Sequence, residues 1–399
     1  MTLSASWSQP AGDKCPAHRR PRTRLDNSLR WTVGIETHGR ERARRIVALP
    51  RPVRPRSCPL APRSGAPQHR SREPCARRGP CRCYVRAVDN ESRQTARSHW
   101  NQTLRDWDKT RRVYWYDHPQ VLRFYRDLIV PVDAPLNQKP IFCFLWQRHP
   151  GRRFERGISI GCGTAGKEIT LLRDGVVGHF DLYEVSDVAA DQGKVNAEKS
   201  GVAERIQYFL SDALGPQGPQ DNMYDLVHWD NSLHHMSSAD AAVALSKRIL
   251  RPGGLFVMDD YVGPTRFQIP DDIYATALEM RSRLPERYHV NNTADKDRFP
   301  LIPRPPRIPV EKMIASDPSE MADSADILPA IARHMPEAQV INTGGIAYVL
   351  ALRPLFGNFD ENSPEDSALL REFLEEDVRY TKEHPENTFH AFAWWVKPD

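Results

Sequence analysis

Ile158-Ser159-Ile160-Gly161-Cys162-Gly163-Thr164-Ala165-Gly166-Lys167-Glu168 runs from a short apolar strand into G-x-G-x-x-G, and Ile169, Leu171 and Leu172 then open a helix. Glycines at these positions let the backbone turn tightly and let a ligand approach the main chain. The next strand, Phe180-Asp181-Leu182-Tyr183-Glu184, ends in an acid 21 residues beyond Gly163. A carboxylate there can accept hydrogen bonds from both hydroxyls of a ribose. Strand, glycine turn, helix, strand and acid together predict a nucleoside-containing cofactor.

The next three strands distinguish among such cofactors. Arg205-Ile206-Gln207-Tyr208-Phe209-Leu210 reads as a third strand, running into Ser211-Asp212-Ala213. Asp225-Leu226-Val227-His228-Trp229-Asp230 reads as a fourth, leading into Asn231-Ser232-Leu233-His234-His235-Met236. Leu250-Arg251-Pro252-Gly253-Gly254 then turns into a fifth, Leu255 to Tyr261. From about Gly157 to Tyr261 this series resembles the class I S-adenosylmethionine (SAM) dependent methyltransferases of small-molecule type. The resemblance implies an α/β fold: a doubly wound, mostly parallel seven-stranded sheet.

Carried over by position, the resemblance places Gly161, Cys162, Gly163 and Gly166 in the loop under the methionine and ribose of SAM. Glu184 would hold the ribose hydroxyls, Asp212 would accept from the adenine amino group, and Asn231 and Ser232 would line the sulfonium side. Cys162 is expected to be a small side chain beside the cofactor rather than a nucleophile. The family often has an acid two residues before the first glycine, whereas this chain has Ser159. Glu168, at the helix start, is the candidate to supply that carboxylate.

Strand and helix signals alternate, which means a parallel sheet whose ligand site lies outside the strands' carboxyl ends. The glycine loop, Glu184, Asp212 and Asn231 all fall at such ends. Ser237-x-x-Asp240 reads as a capping box, and Ala239, Ala242, Val243, Ser246, Ile249 and Leu250 follow one helical face. Gln339 to Thr343 and His390 to Val396 supply the closing strands, the last antiparallel. Glu361 to Glu383 between them reads as an acidic helix with a solvated face. Residues 262–336 exceed what a minimal domain needs and form a candidate substrate-covering insertion within a 151–399 SAM-binding domain.

Ahead of that domain, residues 88–150 read as a helical cap. Trp100, Leu104 and Trp107 make an apolar stripe, and Tyr114, Tyr116 and His118 are candidates for a lid. The stretch from Pro131 to Pro150 reads as a connection into the first strand. Residues 1–87 have a different composition: 19 Arg and one Lys against five acids, with 11 prolines. Three readings stay open for this tail. It is a disordered basic arm, a targeting peptide, or an upstream frame not normally translated, since the next methionine after Met1 is Met223. The remaining 312 residues carry 36 basic and 46 acidic side chains, so the fold itself is acidic. That argues against DNA or RNA as partner.

Five of the seven cysteines lie in the tail, without the spacing or histidines of a zinc site. With no disulfide framework and no secretory segment, a reducing, cytoplasmic compartment is expected. The longest apolar run, Ile141 to Trp146, is far short of a membrane span. An oxygen or carbon acceptor loses a proton during methyl transfer, so a base helps. His234 or His235 is the candidate base and Asp260 the residue that orients it. No metal is expected, because adjacent histidines should point apart. The reading is a SAM-dependent methyltransferase acting on a small molecule, at oxygen. Its rivals are an NAD-type oxidoreductase, an RNA methylase assisted by the tail, and a cofactor-binding protein without turnover.

Overall fold

The alternating pattern closes into one seven-stranded sheet in a computed structural model of the chain, which describes residues 90–105, 114–131, 139–149, 151–293 and 295–399. In chain order the strands are β1 (Phe154–Ile160), β2 (Val177–Tyr183), β3 (Ile206–Phe209), β4 (Tyr224–Asp230), β5 (Leu250–Tyr261), β6 (Gln339–Gly344) and β7 (His390–Val396). They lie in the order β3-β2-β1-β4-β5-β7-β6. The first five are parallel, and β7 runs antiparallel to both β5 and β6. The strand order reverses between β1 and β4, so the crevice for a ligand opens there.

Alternation along the strands explains two cores. Ile158, Ile160, Val227, Trp229, Phe256 and Met258 face one side, while Leu226, Leu255 and Val257 face the other. The first side packs on α6 (Ala239–Ile249) and α9 (Ile327–His334). There Trp229 donates its indole N–H to Ser246, at 3.0 Å, so the buried ring carries no orphaned donor. The second side is covered by α2 (Pro119–Ile129), α3 (Pro140–Arg148), α4 (Gly166–Arg173), α7 (Asp271–Ser282) and α10 (Pro364–Glu383). The remaining α-helices among the described residues are α1 (Asn90–Arg105), α5 (Asp187–Lys199) and α8 (Val310–Ser316). No helix among the described residues is long and apolar enough to cross a membrane.

Three local expectations are corrected. The connection read from Pro131 to Pro150 contains α3, started by Pro140 at its first position and anchored by buried Ile141, Phe144 and Leu145. Helix α6 is capped by Ser238, whose hydroxyl accepts from the Ala241 amide, and not by Ser237. Helix α10 is more than a solvated face. Asp377 is buried, and its carboxylate accepts from the amides of Gly345, Ile346 and Ala347, where the chain turns after β6. Trp107 lies outside the described residues.

The 262–336 segment is tied to the fold by Arg281. Its buried guanidinium donates to the carbonyls of Ala351, Ile302, Arg304 and Arg353. Truncating Asp377 would leave three buried amides unsatisfied, each costing about 1–3 kcal/mol. Asp377→Ala should therefore lower the thermal unfolding midpoint far more than Glu375→Ala on the same helix. Equal midpoints in a thermal melt would show that the carboxylate does not organise this turn.

Candidate active site

Every candidate side chain hangs from a strand's carboxyl end or the turn just beyond it. After β1 the backbone turns through Gly161 at φ +69° and Gly163 at φ +58°. A Cβ on Gly161 would also lie 3.0 Å from the Ser232 Cβ. Gly166 differs: its φ is ordinary and a Cβ there would meet no protein atom. The third glycine is thus required neither by a turn nor by a protein contact.

Glu184 comes directly after β2 and is gathered in by backbone amides. One carboxylate oxygen accepts from Gly163, and the other from Val185 and Ser186, each at 2.8 Å. Burial pushes its pKa above the ordinary carboxylate value despite these donors. Cys162 is buried between the glycines, and burial holds its thiol well above its usual pKa. Asp212 lies just past β3, where its carboxylate accepts from the Leu214 amide at 2.9 Å. Acid, glycine turn and second acid therefore stand at adjacent strand ends.

The Ser159 departure has a structural counterpart. Glu168 is fully buried and accepts from the Ser159 hydroxyl at 2.7 Å, with His228 at 3.4 Å. Beside them Lys167 and Lys139 flank the buried Asp230, at 3.3 and 3.5 Å. Burial would raise the Asp230 pKa, but the two lysines outweigh it and hold it low. Asn231 sits at φ +54° and donates to Asp230 at 3.0 Å.

The turn after β4 is organised by Asp260 of β5. One oxygen accepts from the Ser232 and Leu233 amides at 2.9 and 2.7 Å. The other accepts from the Tyr261 amide at 2.8 Å and meets His234 Nδ1 at 2.5 Å. Burial alone would lower the His234 pKa, but Asp260 outweighs it and raises it. Burial and the neighbouring His234 push His235 down to about 4. The two rings do not point apart as expected. Their centroids are 4.1 Å apart, and both lie near Glu320, at 4.0 Å from His234 and 3.6 Å from His235.

Glu320 and Asp317 were not singled out from the sequence, nor were Tyr125 and His390. Tyr125 donates to Asp259 and lies 2.8 Å from His390 Nδ1, while His390 Nε2 lies 3.2 Å from the Asn231 side-chain oxygen. Burial and nearby Asp230 push Asp259 up to about 7. The N-terminal helix also reaches the site. Trp100 of α1 stacks edge-on against His235 at 5.1 Å, and Asn101 accepts from the Ser186 hydroxyl at 2.6 Å, beside Glu184. Tyr114 and Tyr116 stack on each other, with Lys139 5.9 Å from the Tyr116 ring. His118 instead packs near Phe356.

This strand order, with the glycine turn and acids at its carboxyl edge, defines a class I methyltransferase fold. Residues 158–254 match the family described as a methyltransferase domain. The matched residues lie within a sheet of the class I, SAM-dependent methyltransferase type, and SAM is the cofactor of that type. It is 28% identical over 113 residues to the 27-O-demethylrifamycin SV methyltransferase of Amycolatopsis mediterranei, covering 28% of this chain and 41% of that one. It is 24% identical over 120 residues to a demethylmenaquinone methyltransferase of Leptospira interrogans, covering 28% of this chain and 48% of that one. A matching stretch in a hybrid PKS-NRPS synthetase of Emericella nidulans is 28% identical and spans 3% of that protein. The chain thus spans less than half the length of these relatives. Geranyl diphosphate C-methyltransferase of Streptomyces coelicolor superposes with a TM-score of 0.45 at 11% identity, over 78% of this chain and 99% of that one.

The two end glycines should separate by experiment. Gly161→Ala forces an alanine into the left-handed region and should cost roughly 1–2 kcal/mol of unfolding free energy. Gly166→Ala should leave unfolding within about 0.5 kcal/mol while weakening S-adenosylhomocysteine binding. A Gly161→Ala protein as stable as the parent in a denaturant titration would refute the conformational argument.

Proposed function

We propose that this protein transfers a methyl group from SAM to an oxygen of a small-molecule acceptor. The observation that carries the reading is Glu184, a buried carboxylate pinned by three amides directly beside the Gly161–Gly163 turn. In this reading Glu184 receives the ribose hydroxyls, Asp212 the adenine amino group, and Gly161, Cys162, Gly163 and Gly166 the backbone-hugging part of the cofactor. Asn231 and Ser232 line the sulfonium side. SAM, when bound, supplies a methyl group on a positively charged sulfur, open to in-line attack. Holding the acceptor in line accounts for roughly 7–11 kcal/mol of barrier reduction, so positioning is the main task of the residues around it.

Acceptor-side duties fall to His234 and His235 on the turn after β4. Asp260 is a positioning residue, because both its oxygens are already occupied by amides and by His234. We assign 88–150 as the cap and 262–336 as the segment that covers the acceptor, since Trp100 and Glu320 approach the histidine pair from these two parts. Two relatives, named for 27-O-demethylrifamycin SV and demethylmenaquinone, support a small-molecule acceptor. The acidic balance of residues 88–399 and the histidine–carboxylate wall support oxygen rather than a nucleic-acid base.

Calorimetric titration of the full-length chain tests the cofactor. S-adenosylhomocysteine should bind at micromolar concentration and NAD should not, and Glu184→Ala should weaken binding about 10- to 100-fold, the loss of one charged hydrogen-bonding group. A folded protein that binds NAD alone, or neither ligand, would falsify the reading. Transfer of labelled methyl to hydroxyl-bearing compounds and not to amines would decide the acceptor atom.

A further inference from the structure

We propose that His234, His235, Glu320 and Asp317 form a binding site for a divalent transition-metal ion at the acceptor side of the cleft. One potential ligand atom each from His234, His235 and Glu320 lies within 4.8 Å of the others. Metal–ligand bonds of about 2.1 Å put adjacent ligand atoms about 3.0 to 3.6 Å apart. Glu320 Oε2 is 3.6 Å from His235 Nδ1 and 4.0 Å from His234 Nε2, and Asp317 Oδ2 flanks this three-residue set at 3.9 Å from His235 Nδ1, so small side-chain movements bring these atoms to bonding distance of one ion.

Asp317 is the independent observation. Its side chain is 5% exposed, and one oxygen, Oδ1, is filled by the Ser319 amide and hydroxyl, at 2.8 and 2.6 Å. The other oxygen, Oδ2, is buried with no hydrogen-bond donor among the described residues, and it faces His235 and, at 4.0 Å, His99. A desolvated carboxylate oxygen with no donor is costly, and a cation beside it removes that cost.

The surroundings are those of a metal ligand set. His234 turns Nδ1 to Asp260, at 2.5 Å, which leaves Nε2 to face Glu320. Metal-bound histidines characteristically hold their second nitrogen on a carboxylate in this way. The acidic loop is fixed and not merely nearby: the Ala322 amide donates to the His234 carbonyl at 3.0 Å, and Arg266 donates to the Glu320 carbonyl at 2.9 Å. Glu320 is 27% exposed, which leaves a route for the ion. His235 accepts the ion through Nδ1 in place of its 3.2 Å contact with the Ser319 hydroxyl, keeping its proton on Nε2. Two imidazoles with two carboxylates select a first-row ion such as Zn, Fe, Co or Mn over Mg. The pair then serves as ligands and not as a free base. That assignment rests on the proposed function only in calling this the acceptor side.

Cobalt titration of the chelator-stripped full-length chain tests the site, because thiolate-bound cobalt has its own charge-transfer band and the tail cysteines are thereby told apart. One equivalent should bind with d–d bands lacking that thiolate signature. Glu320→Gln and Asp317→Asn should each weaken binding at least 10-fold, and Asp260→Asn about 10- to 100-fold as an outer-shell change. S-adenosylhomocysteine affinity, measured on the same samples, should persist in Glu320→Gln. Cofactor binding without cobalt binding would overturn the metal site and leave the methyltransferase reading standing. Cobalt binding unchanged in Glu320→Gln and Asp317→Asn would also overturn it.

Discussion

The site depends on one constraint: the turn at the carboxyl end of β4 must be held at its rim by a carboxylate that gathers main-chain amides. Asp260 does this. It ends a buried strand, and its two oxygens take three amides and one imidazole nitrogen. Charge-assisted bonds of this kind are about twice as strong as neutral ones, and a buried carboxylate without them would be expelled. The turn after β4 is therefore set by β5 rather than by its own sequence. Asn231 at φ +54° and the two histidines inherit their directions from it.

Glu184 repeats the device one strand pair away, and Asp377 repeats it behind β6. In each case the chain leaves a strand, its amides lose their ladder partners, and a side-chain carboxylate takes them. The rims of a parallel sheet need such partners wherever the backbone is buried. A ligand can then use what is left over. At Glu184 one oxygen takes the Gly163 amide of the glycine turn and the other takes the Val185 and Ser186 amides. In the proposed function, the fold's need for satisfied amides and the cofactor's need for an anchored acid fall to one residue.

The succession of strands, the glycine turn and the strand-end acids were legible in the sequence because they rest on local period and fixed spacing. Ile158 to Gly166 could be read from consecutive residues, and Glu184 from its distance along the chain. Glu320 and Asp317 could not, because they sit in an insertion with no periodicity and reach His235 only through the folded loop. His390 opens an apolar strand and gives no signal of the Tyr125 and Asn231 that surround it. His234 and His235, just beyond the fourth strand, were expected to point apart because they are adjacent. They lie on a tight 3-10 turn instead, where successive side chains are splayed less, and Asp260 pins one ring beside the other. Asp377 looked solvated because its helix is acidic, yet its face is set by packing and not by charge.

Charge balance gives the remaining step. Buried ions are tolerated when paired, and the site's other buried acids obey that rule: Asp230 has Lys139 and Lys167, and Glu168 has His228 and the Ser159 hydroxyl. The cluster around the histidine pair is different. Asp260, Asp317 and Glu320 bring three carboxylates to His234 and His235, with His99 4.0 Å from Asp317 Oδ2. Arg353 and Arg266 contribute positive potential at Glu320 and at the Asp317–Glu320 loop, yet neither guanidinium bonds a carboxylate of the cluster. Burial of unpaired like charge is expensive, so the arrangement is most stable with a further cation among the carboxylates. A protein built only to place a neutral acceptor against a histidine would need Asp260 alone. Two more acids, carried in on a separate loop that is bonded to His234 itself, are what a bound ion requires.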